Sequence, residues 1–203
     1  MKKMSLYPKT TRVKEKGYTV ITEKLDGSNI GFFNQNGRLL IATRKNIFYL
    51  DELEDVKAMV YKGMYQWLID NGQDLLDNLF LDSGLFGEWR GMGQLKYSDY
   101  EFPGRVVMFA KARIDDELNV TQINYNVDYL KFAFDSQELP EYISAPVIVE
   151  RSTKVVDKVY LDVLYDNYCS ERTNVEGFII IRNDYTVEKY VRRKSKKLID
   201  HFE

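Results

Sequence analysis

Alternation of apolar and polar residues near the N-terminus constrains the fold of this chain more than any other feature. Segments 18–24, 28–33 and 38–43 each alternate with a period of two, which is typical of half-buried β-strands. Asp26-Gly27 lies between the first two segments and Asn36-Gly37 between the last two, and both dipeptides are strong hairpin-turn signals. This part of the chain is therefore predicted to contribute three antiparallel strands.

The rest of the chain mixes helical and strand-like patterns. Apolar residues that recur at steps of three and four predict a helix from Asp51 to about Leu79. Further strands are predicted at 83–91, 105–114, 176–184 and 186–200, and further helices near 125–136 and 152–168, the last with Ser152 as its N-cap. The predicted fold class is α+β, with mainly antiparallel β-sheets and helices packed against them.

The rarest residue types exclude several kinds of chemistry. The 203 residues include one cysteine, Cys169, and one histidine, His201, which disfavours disulfides, cysteine-rich zinc sites and Ser-His or Cys-His catalysis. The net charge of −2 gives no overall basic field, so any phosphate-binding surface must be local. Chemistry must therefore rely on Lys, Arg, Asp and Glu, together with a metal such as Mg²⁺. Without a membrane-length apolar run or the apolar core of a signal peptide, the sequence predicts a cytoplasmic protein with no membrane partner.

Four short stretches place charged residues in apolar, strand-like surroundings: Glu23-Lys24-Leu25-Asp26-Gly27, Phe86-Gly87-Glu88, Glu176-Gly177-Phe178 and Arg192-Arg193-Lys194. Each stretch alone is typical of a solvated turn. A lysine nucleophile, however, must be neutral, and cationic neighbours such as Arg44, Arg192 and Lys194 would favour its neutral form. The same cations would bind a triphosphate, while Glu88 and Glu176 can hold a ribose hydroxyl or Mg²⁺. Together the stretches fit nucleotidyl transfer through a covalent lysine–nucleotide adduct.

In this order, the four stretches resemble the motifs of the covalent nucleotidyltransferase superfamily, which contains ATP-dependent ligases and mRNA capping enzymes. Lys24-Leu25-Asp26-Gly27 matches the K-x-D-G nucleophile motif of that superfamily, and the other stretches match its G-E, E-G-apolar and closing basic motifs. The chain is most similar to the branch of RNA ligase 2 and the RNA-editing ligases, because Gly27-Ser28-Asn29 and Arg44 match further features of that branch. Capping enzymes usually have Arg at the position of Asn29, which disfavours a capping enzyme.

The resemblance implies a nucleotidyltransferase (adenylylation) domain of the ATP-grasp-like ligase type. We expect it to cover residues 1–203 as a single domain. Only nine residues follow Lys194, so no separate C-terminal domain is expected. A protein partner or a missing domain would then supply the grip on the substrate. Arg192 stands where the family has Lys, which keeps the charge for phosphate binding.

The resemblance also assigns roles to individual residues. Lys24 would attack the α-phosphorus of ATP, Glu88 would bind the ribose hydroxyls, and Glu23 would line the adenine pocket through its backbone. Glu176 would position the lysine or a Mg²⁺ (or Mn²⁺) ion, and Phe109 would stack on the adenine. The full set predicted to bind the nucleotide is Glu23, Lys24, Asn29, Arg44, Glu88, Phe109, Glu176, Arg192 and Lys194. The set predicted to contact nucleic acid is Asp26, Asn29, Arg44, Arg193, Lys196 and Lys197.

The leading functional hypothesis is an ATP-dependent polynucleotide ligase, with RNA ends favoured over DNA ends. It would form lysyl-AMP, transfer AMP to a 5′-phosphate and seal the strand when a 3′-hydroxyl displaces the AMP. A GTP-dependent capping guanylyltransferase and a DNA ligase are alternatives built on the same kind of domain. A non-catalytic module that binds nucleic-acid ends is an alternative from another class.

Overall fold

A computed structural model of the chain describes residues 18–90, 92–93, 95, 97, 104–172, 174–183 and 186–192. The strands, in chain order, are β1 (Thr19–Lys24), β2 (Ser28–Gln35), β3 (Arg38–Thr43), β4 (Ile47–Tyr49), β5 (Ser83–Trp89), β6 (Val106–Ile114), β7 (Val120–Asn124), β8 (Ile143–Ser144), β9 (Ile148–Ser152), β10 (Gly177–Arg182) and β11 (Val187–Val191). The α-helices are α1 (Met64–Asn78) and α2 (Lys158–Glu171), and 3₁₀ helices span Leu50–Glu52, Lys57–Met59 and Val127–Ala133. The described residues fall into two compact units, each with its own sheet.

The larger unit comprises residues 26–146. Its sheet has the strand order β4-β3-β2-β5-β6-β7, and β8 adds a short parallel pairing to β6. The other neighbouring strands pair in antiparallel fashion. Asn36 and Gly37 both have positive φ, 52° and 76°, as a two-residue hairpin turn between β2 and β3 requires.

Helix α1 covers one face of the sheet in the larger unit. Its buried residues recur at the helical spacing and include Trp67, Leu68 and Leu75, which pack in a core cluster with Phe32 and Trp89 from the sheet. The rings of Trp67 and Phe32 stack with their centroids 5.4 Å apart. This packing fixes β2 and β5, the two strands that carry Asn29 and Glu88.

The smaller unit contains residues 18–25 and the described residues from Val147 onwards. Its antiparallel sheet has the strand order β11-β10-β1-β9. Ile21, Phe178 and Tyr190 from the sheet form a core cluster with Leu161 of α2. Since alternate residues of a strand share a face, Ile21 and Glu23 both point to the side of the sheet that packs against α2.

The structure confirms the α+β class, and the predicted strands within 18–43 agree closely with β1, β2 and β3. The prediction of a hairpin at Asp26-Gly27 is wrong, because β1 pairs with β9 and β10 whereas β2 pairs with β3 and β5. Burial of the apolar runs against distant partners decides the pairing of these strands, and the short turn signal does not.

The predicted helices need three corrections. Only Met64–Asn78 is α-helical within the segment predicted from Asp51, because Gly63, immediately before it, has a left-handed φ of 79°. The helix predicted near 125–136 is a 3₁₀ helix at Val127–Ala133. Helix α2 begins at Lys158, and its N-cap is Asp157, whose carboxylate accepts a 2.8 Å hydrogen bond from the N–H of Tyr160. Ser152 belongs to β9 and does not cap this helix.

Some sequence predictions lie outside what the structure describes. Residues 193–203, which include Arg193, Lys194, Lys196 and Lys197, are outside the described part, as is Asp184 of the predicted last turn. A single nucleotidyltransferase domain over residues 1–203 stays a prediction. Among the described residues, no helix has both the length and the apolar character needed to cross a membrane.

Candidate functional site

Lys24 and Glu176 form the centre of the candidate site in the smaller unit. Lys24 is the last residue of β1 and lies opposite Gly177, the first residue of β10. This register brings the Lys24 Nζ to 2.5 Å from Oε2 of Glu176, the residue just before Gly177. The two side chains are 22% and 13% exposed, so the pair is shielded but still reachable from solvent. Two residues that the sequence selected independently are therefore in direct contact.

Gly177 has a structural reason to follow Glu176. A Cβ atom at this position would lie 2.0 Å from the carbonyl oxygen of Tyr190 in β11, so only glycine lets the two strands approach this closely. The N–H of Arg192 also donates a 3.3 Å hydrogen bond to the carbonyl of Glu176. The E-G pair thus places a carboxylate of the site directly before a glycine that lets the paired strands β10 and β11 approach closely.

Glu23 points away from Lys24, into the interface between β1 and α2. Its side chain is 1% exposed, and its Oε2 accepts hydrogen bonds from the Nε of Arg172 at 2.6 Å and from the hydroxyl of Tyr168 at 3.0 Å. Burial, and then the charge of Glu23, raise the pKa of Tyr168, so its hydroxyl stays protonated and can donate. We define Glu23, Arg172 and Tyr168 as the Glu23 network.

The Glu23 network bears on the predicted role of Glu23. Adenine binding through its backbone stays a prediction, whereas the side chain is committed to α2, and the backbone N–H donates to the carbonyl of Val147 at 2.9 Å. Sequence reasoning missed Arg172 and Tyr168. The only available signal was an acidic residue on the same face of β1 as Ile21, which calls for a buried partner.

Arg192 contacts α2. Its Nη1 lies 2.7 Å from Oδ1 of Asp166 and 2.9 Å from the carbonyl oxygen of Asp162. The hydrogen bond to Asp166 raises the pKa of the Arg192 guanidinium, which stays charged. The structure therefore pairs Lys24 with a carboxylate, while the cation predicted to neighbour it is engaged with acidic residues of the helix. Lys194, the other predicted neighbour in this segment, lies outside the described residues.

Glu88 and Asn29 lie together in the larger unit. They are direct cross-strand neighbours, Asn29 in β2 and Glu88 in β5. The Glu88 Oε1 accepts a 3.1 Å hydrogen bond from the N–H of Gly27. A Cβ on Gly27 would lie 2.7 Å from the Cγ of Glu88 and 2.5 Å from the Trp89 carbonyl oxygen, so this approach requires glycine. The K-x-D-G and G-E motifs thus meet through Gly27 and Glu88.

Tyr61 connects two further predicted site residues. Its hydroxyl donates to the carbonyl oxygen of Asn29 at 3.0 Å and accepts from the N–H of Arg44 at 3.1 Å. The side chain of Arg44 is exposed, as a contact to a nucleic-acid end requires. Nothing in the spacing of the motifs pointed to Tyr61, because it lies in the loop before α1.

Asp26 and Phe109 are the remaining predicted residues of the larger unit. The Oδ2 of Asp26 accepts from the N–H of Leu95 at 3.0 Å, and its backbone N–H donates to the hydroxyl of Tyr97 at 2.8 Å. Phe109 is half-buried and is the extra residue of a β-bulge, because Phe86 lies opposite Ala110 whereas Gly87 lies opposite Met108. Bulges re-aim side chains and are frequent beside active sites, which fits a stacking role for Phe109.

Metal ligands from the protein are few in the part of the chain that the structure describes. They contain no group of three or more His, Cys, Asp or Glu side chains that could enclose a metal. Mg²⁺ is usually bound through one or two carboxylates together with substrate phosphates and water. Glu176 stays the residue predicted to supply such a carboxylate.

Comparisons with known proteins gave three results. A family model described as RNA ligase matches residues 17–199. Among solved structures, the chain is similar to the crystal structure of the ligase domain of LigD from M. tuberculosis, with 13% sequence identity and a TM-score of 0.37. That match covers 92% of this chain and 56% of the LigD chain, so the chain spans little more than half its length. No curated protein matches the sequence.

Proposed function

The chain belongs to the RNA ligase family of polynucleotide ligases, and from this premise we propose that it joins RNA ends in an ATP-dependent reaction through a lysyl-AMP intermediate. One observation carries the proposal. The lysine of the K-x-D-G motif, Lys24, has its Nζ 2.5 Å from Oε2 of Glu176, within a partly shielded pair. A lysine nucleophile needs a group that can accept its proton, and Glu176 is within reach for that role.

In the first step, the Nζ of Lys24 forms a bond to the α-phosphorus of ATP. The bond from that phosphorus to the bridging oxygen of pyrophosphate breaks, and pyrophosphate leaves. Before the attack, the Lys24 ammonium passes one proton to the Glu176 carboxylate, and the attacking amine loses a second proton to water as the phosphorus–nitrogen bond forms. AMP then moves from Lys24 to the 5′-phosphate of one RNA end, and the 3′-hydroxyl of the other end displaces AMP to seal the strand.

The other predicted site residues support these steps by binding. Glu88 would hold the ribose hydroxyls, since its carboxylate is anchored by the N–H of Gly27 at 3.1 Å. Asn29, Asp26 and Arg44 would contact the AMP phosphate and the polynucleotide ends. A bound Mg²⁺ or Mn²⁺ ion would neutralise charge on the phosphates as it develops. Glu176 is the carboxylate that would hold such an ion in the later steps, after it has released the Lys24 proton.

Incubation with α-labelled ATP and Mg²⁺ tests the proposed function. The wild-type protein should acquire label that survives denaturation, and mass spectrometry of its peptides should place AMP on Lys24. Preference for GTP would support a capping enzyme, and an absence of covalent label with either nucleotide would support an end-binding module. Nicked RNA, nicked DNA and single-stranded ends, offered to the labelled protein, then distinguish an RNA ligase from a DNA ligase.

Phe109 offers a test of nucleotide binding that does not involve the reacting atoms. Phe109→Leu keeps an apolar side chain but removes the ring, so we expect the KM for ATP in self-labelling to rise by about tenfold, as loss of a stacking contact predicts. Phe109→Tyr keeps the ring and should have a KM close to that of the wild type. If both variants keep the wild-type KM and lose only stability, Phe109 is a packing residue and does not contact adenine.

A further inference from the structure

A cavity of about 140 Å³ lies in the larger unit, between the β6–β7 hairpin and the 3₁₀ helix Val127–Ala133. The side chains that line it and carry the argument are Lys111, Arg113, Gln122, Asn124, Tyr129 and Phe132. We call this site the β6–β7 pocket. None of these residues belongs to the motifs that define the nucleotidyl-transfer site.

The strand register places four polar side chains on one face of the hairpin. Lys111 of β6 lies opposite Asn124 of β7, and Arg113 lies opposite Gln122. Paired residues of an antiparallel ladder project to the same side, as do residues two apart along a strand. The pocket wall therefore carries two cations on one strand and two amides on the other.

Two aromatic rings are exposed on the opposite wall. Tyr129 is 49% exposed and Phe132 is 37% exposed, although both are large side chains of a packed 3₁₀ helix. Their ring centroids are 5.6 Å apart. Lys131 places its Nζ 5.3 Å from the centroid of the Phe132 ring, which adds a third cation to this side.

The positive charge of the β6–β7 pocket is not neutralised from within. Arg113 forms no ion pair with any residue of the described part of the chain, and neither does Lys111, whose Nζ donates to the carbonyl oxygen of Phe132 at 2.6 Å. Burial, and then the charge of Arg113, lower the pKa of Lys111, as expected for two cations held close together. Asp115, at the tip of the hairpin, accepts from the N–H groups of Glu117 and Asn119 and so caps the turn.

We propose that the β6–β7 pocket binds single-stranded RNA as a subsite separate from the nucleotidyl-transfer residues. One base stacks on the Tyr129 ring with its edge against Phe132, whose ring is tilted by 49° to that of Tyr129. Neighbouring phosphates pair with Lys111 and Arg113. This combination of aromatic stacking and cations is how proteins hold single strands. The amide of Gln122, which makes no hydrogen bond among the described residues, faces the polar edge of the base.

The choice of a strand over a mononucleotide follows from the size and charge of the pocket. The cavity has room for about one base, whereas its cations lie two residues apart along β6, at Lys111 and Arg113, and on the adjoining helix, at Lys131, which suits successive phosphates. The choice of RNA over DNA rests on the proposed function. Binding itself requires neither ATP nor Lys24, so this inference and the proposed function can fail separately.

Fluorescence anisotropy with a short single-stranded RNA that lacks a 5′-phosphate tests the inference without ligation. Tyr129→Ala and Arg113→Ala should each weaken binding by about tenfold, as loss of one stacked base or one phosphate contact predicts. For Arg113→Ala, the slope of log affinity against log salt should also become shallower by about 0.7. The two variants should keep wild-type labelling by ATP.

Lys57→Ala is the matched control. Its Nζ lies 4.0 Å from the Tyr65 ring centroid, so it is another lysine over an aromatic ring in the same unit, and its removal should leave RNA binding unchanged.

Wild-type affinity in Tyr129→Ala and Arg113→Ala would overturn the proposal. So would competition by AMP at the same concentration as the oligonucleotide, which indicates a mononucleotide site. Equal binding of single-stranded DNA would overturn the assignment to RNA. If the wild type binds RNA through this pocket but takes no label from ATP, the inference stands and the proposed function fails.

Discussion

Replacing Lys24 by alanine is expected to reduce covalent labelling from α-labelled ATP to below detection. The variant lacks the only atom that the proposed reaction joins to AMP, and no other group on the side chain can take its place. Binding of ATP should persist, because the predicted contacts of Glu88 and Phe109 lie in the other unit and remain unchanged. Denaturing electrophoresis measures the covalent label, and equilibrium binding of ATP is measured in parallel.

Lys24→Arg separates the loss of the nucleophile from the loss of an ion pair. The guanidinium keeps a positive charge beside Glu176 but cannot lose its proton at any pH that the protein tolerates, so it cannot attack phosphorus. We expect no label, together with a free energy of unfolding close to that of the wild type. Lys158→Ala is the control: its Nζ lies 2.7 Å from Oδ2 of Asp162 in an exposed pair, and its removal should leave labelling intact. Persistent label in Lys24→Arg would mean that another lysine is the nucleophile.

The sequence predicted those parts of the fold whose burial pattern is local. Strands β2, β3 and β5 are buried along most of their length, so their apolar runs are visible in the sequence without knowing the partner strands. The short strands β4, β7, β8 and β9 have two to five residues each, too few for alternation to stand out. Pairing was less predictable than strand formation: β1 and β2 are joined by a strong turn signal, yet they belong to different sheets.

The same distinction between local and distant information holds for the candidate site. Lys24, Glu88 and Glu176 were predicted because each lies in a short motif of unusual polarity. Their neighbours were not predicted, because those contacts join distant parts of the chain: Arg172 follows Glu23 by 149 positions, and Tyr61 follows Asn29 by 32. A sequence pattern can mark a buried carboxylate as needing a partner, but it cannot identify the residue that meets it.

The Glu23 network gives the largest expected effect on stability. Arg172→Met removes the guanidinium whose Nε lies 2.6 Å from Oε2 of Glu23, while the Glu23 side chain is only 1% exposed. Removing a cation from a carboxylate buried this deeply costs about 3–5 kcal/mol of the free energy of unfolding. Tyr168 still donates one hydrogen bond, but a neutral hydroxyl compensates the charge only in part. Urea unfolding of the wild type and the variant measures the difference.

Two comparisons show whether burial of the charge causes this loss. Arg38→Ala removes a guanidinium from Asp51 in a pair whose side chains are 45% and 62% exposed, so solvent screening should leave the free energy of unfolding nearly unchanged. Adding Glu23→Gln to Arg172→Met should recover part of the stability, because a neutral amide no longer needs a cation. If Arg172→Met lowers the free energy of unfolding no more than Arg38→Ala does, the Glu23 network does not stabilise the packing of β1 on α2.

Because Glu23 directly precedes Lys24, a loosened β1 should also lower the rate at which Arg172→Met is labelled by ATP. The double variant should regain that rate together with its stability.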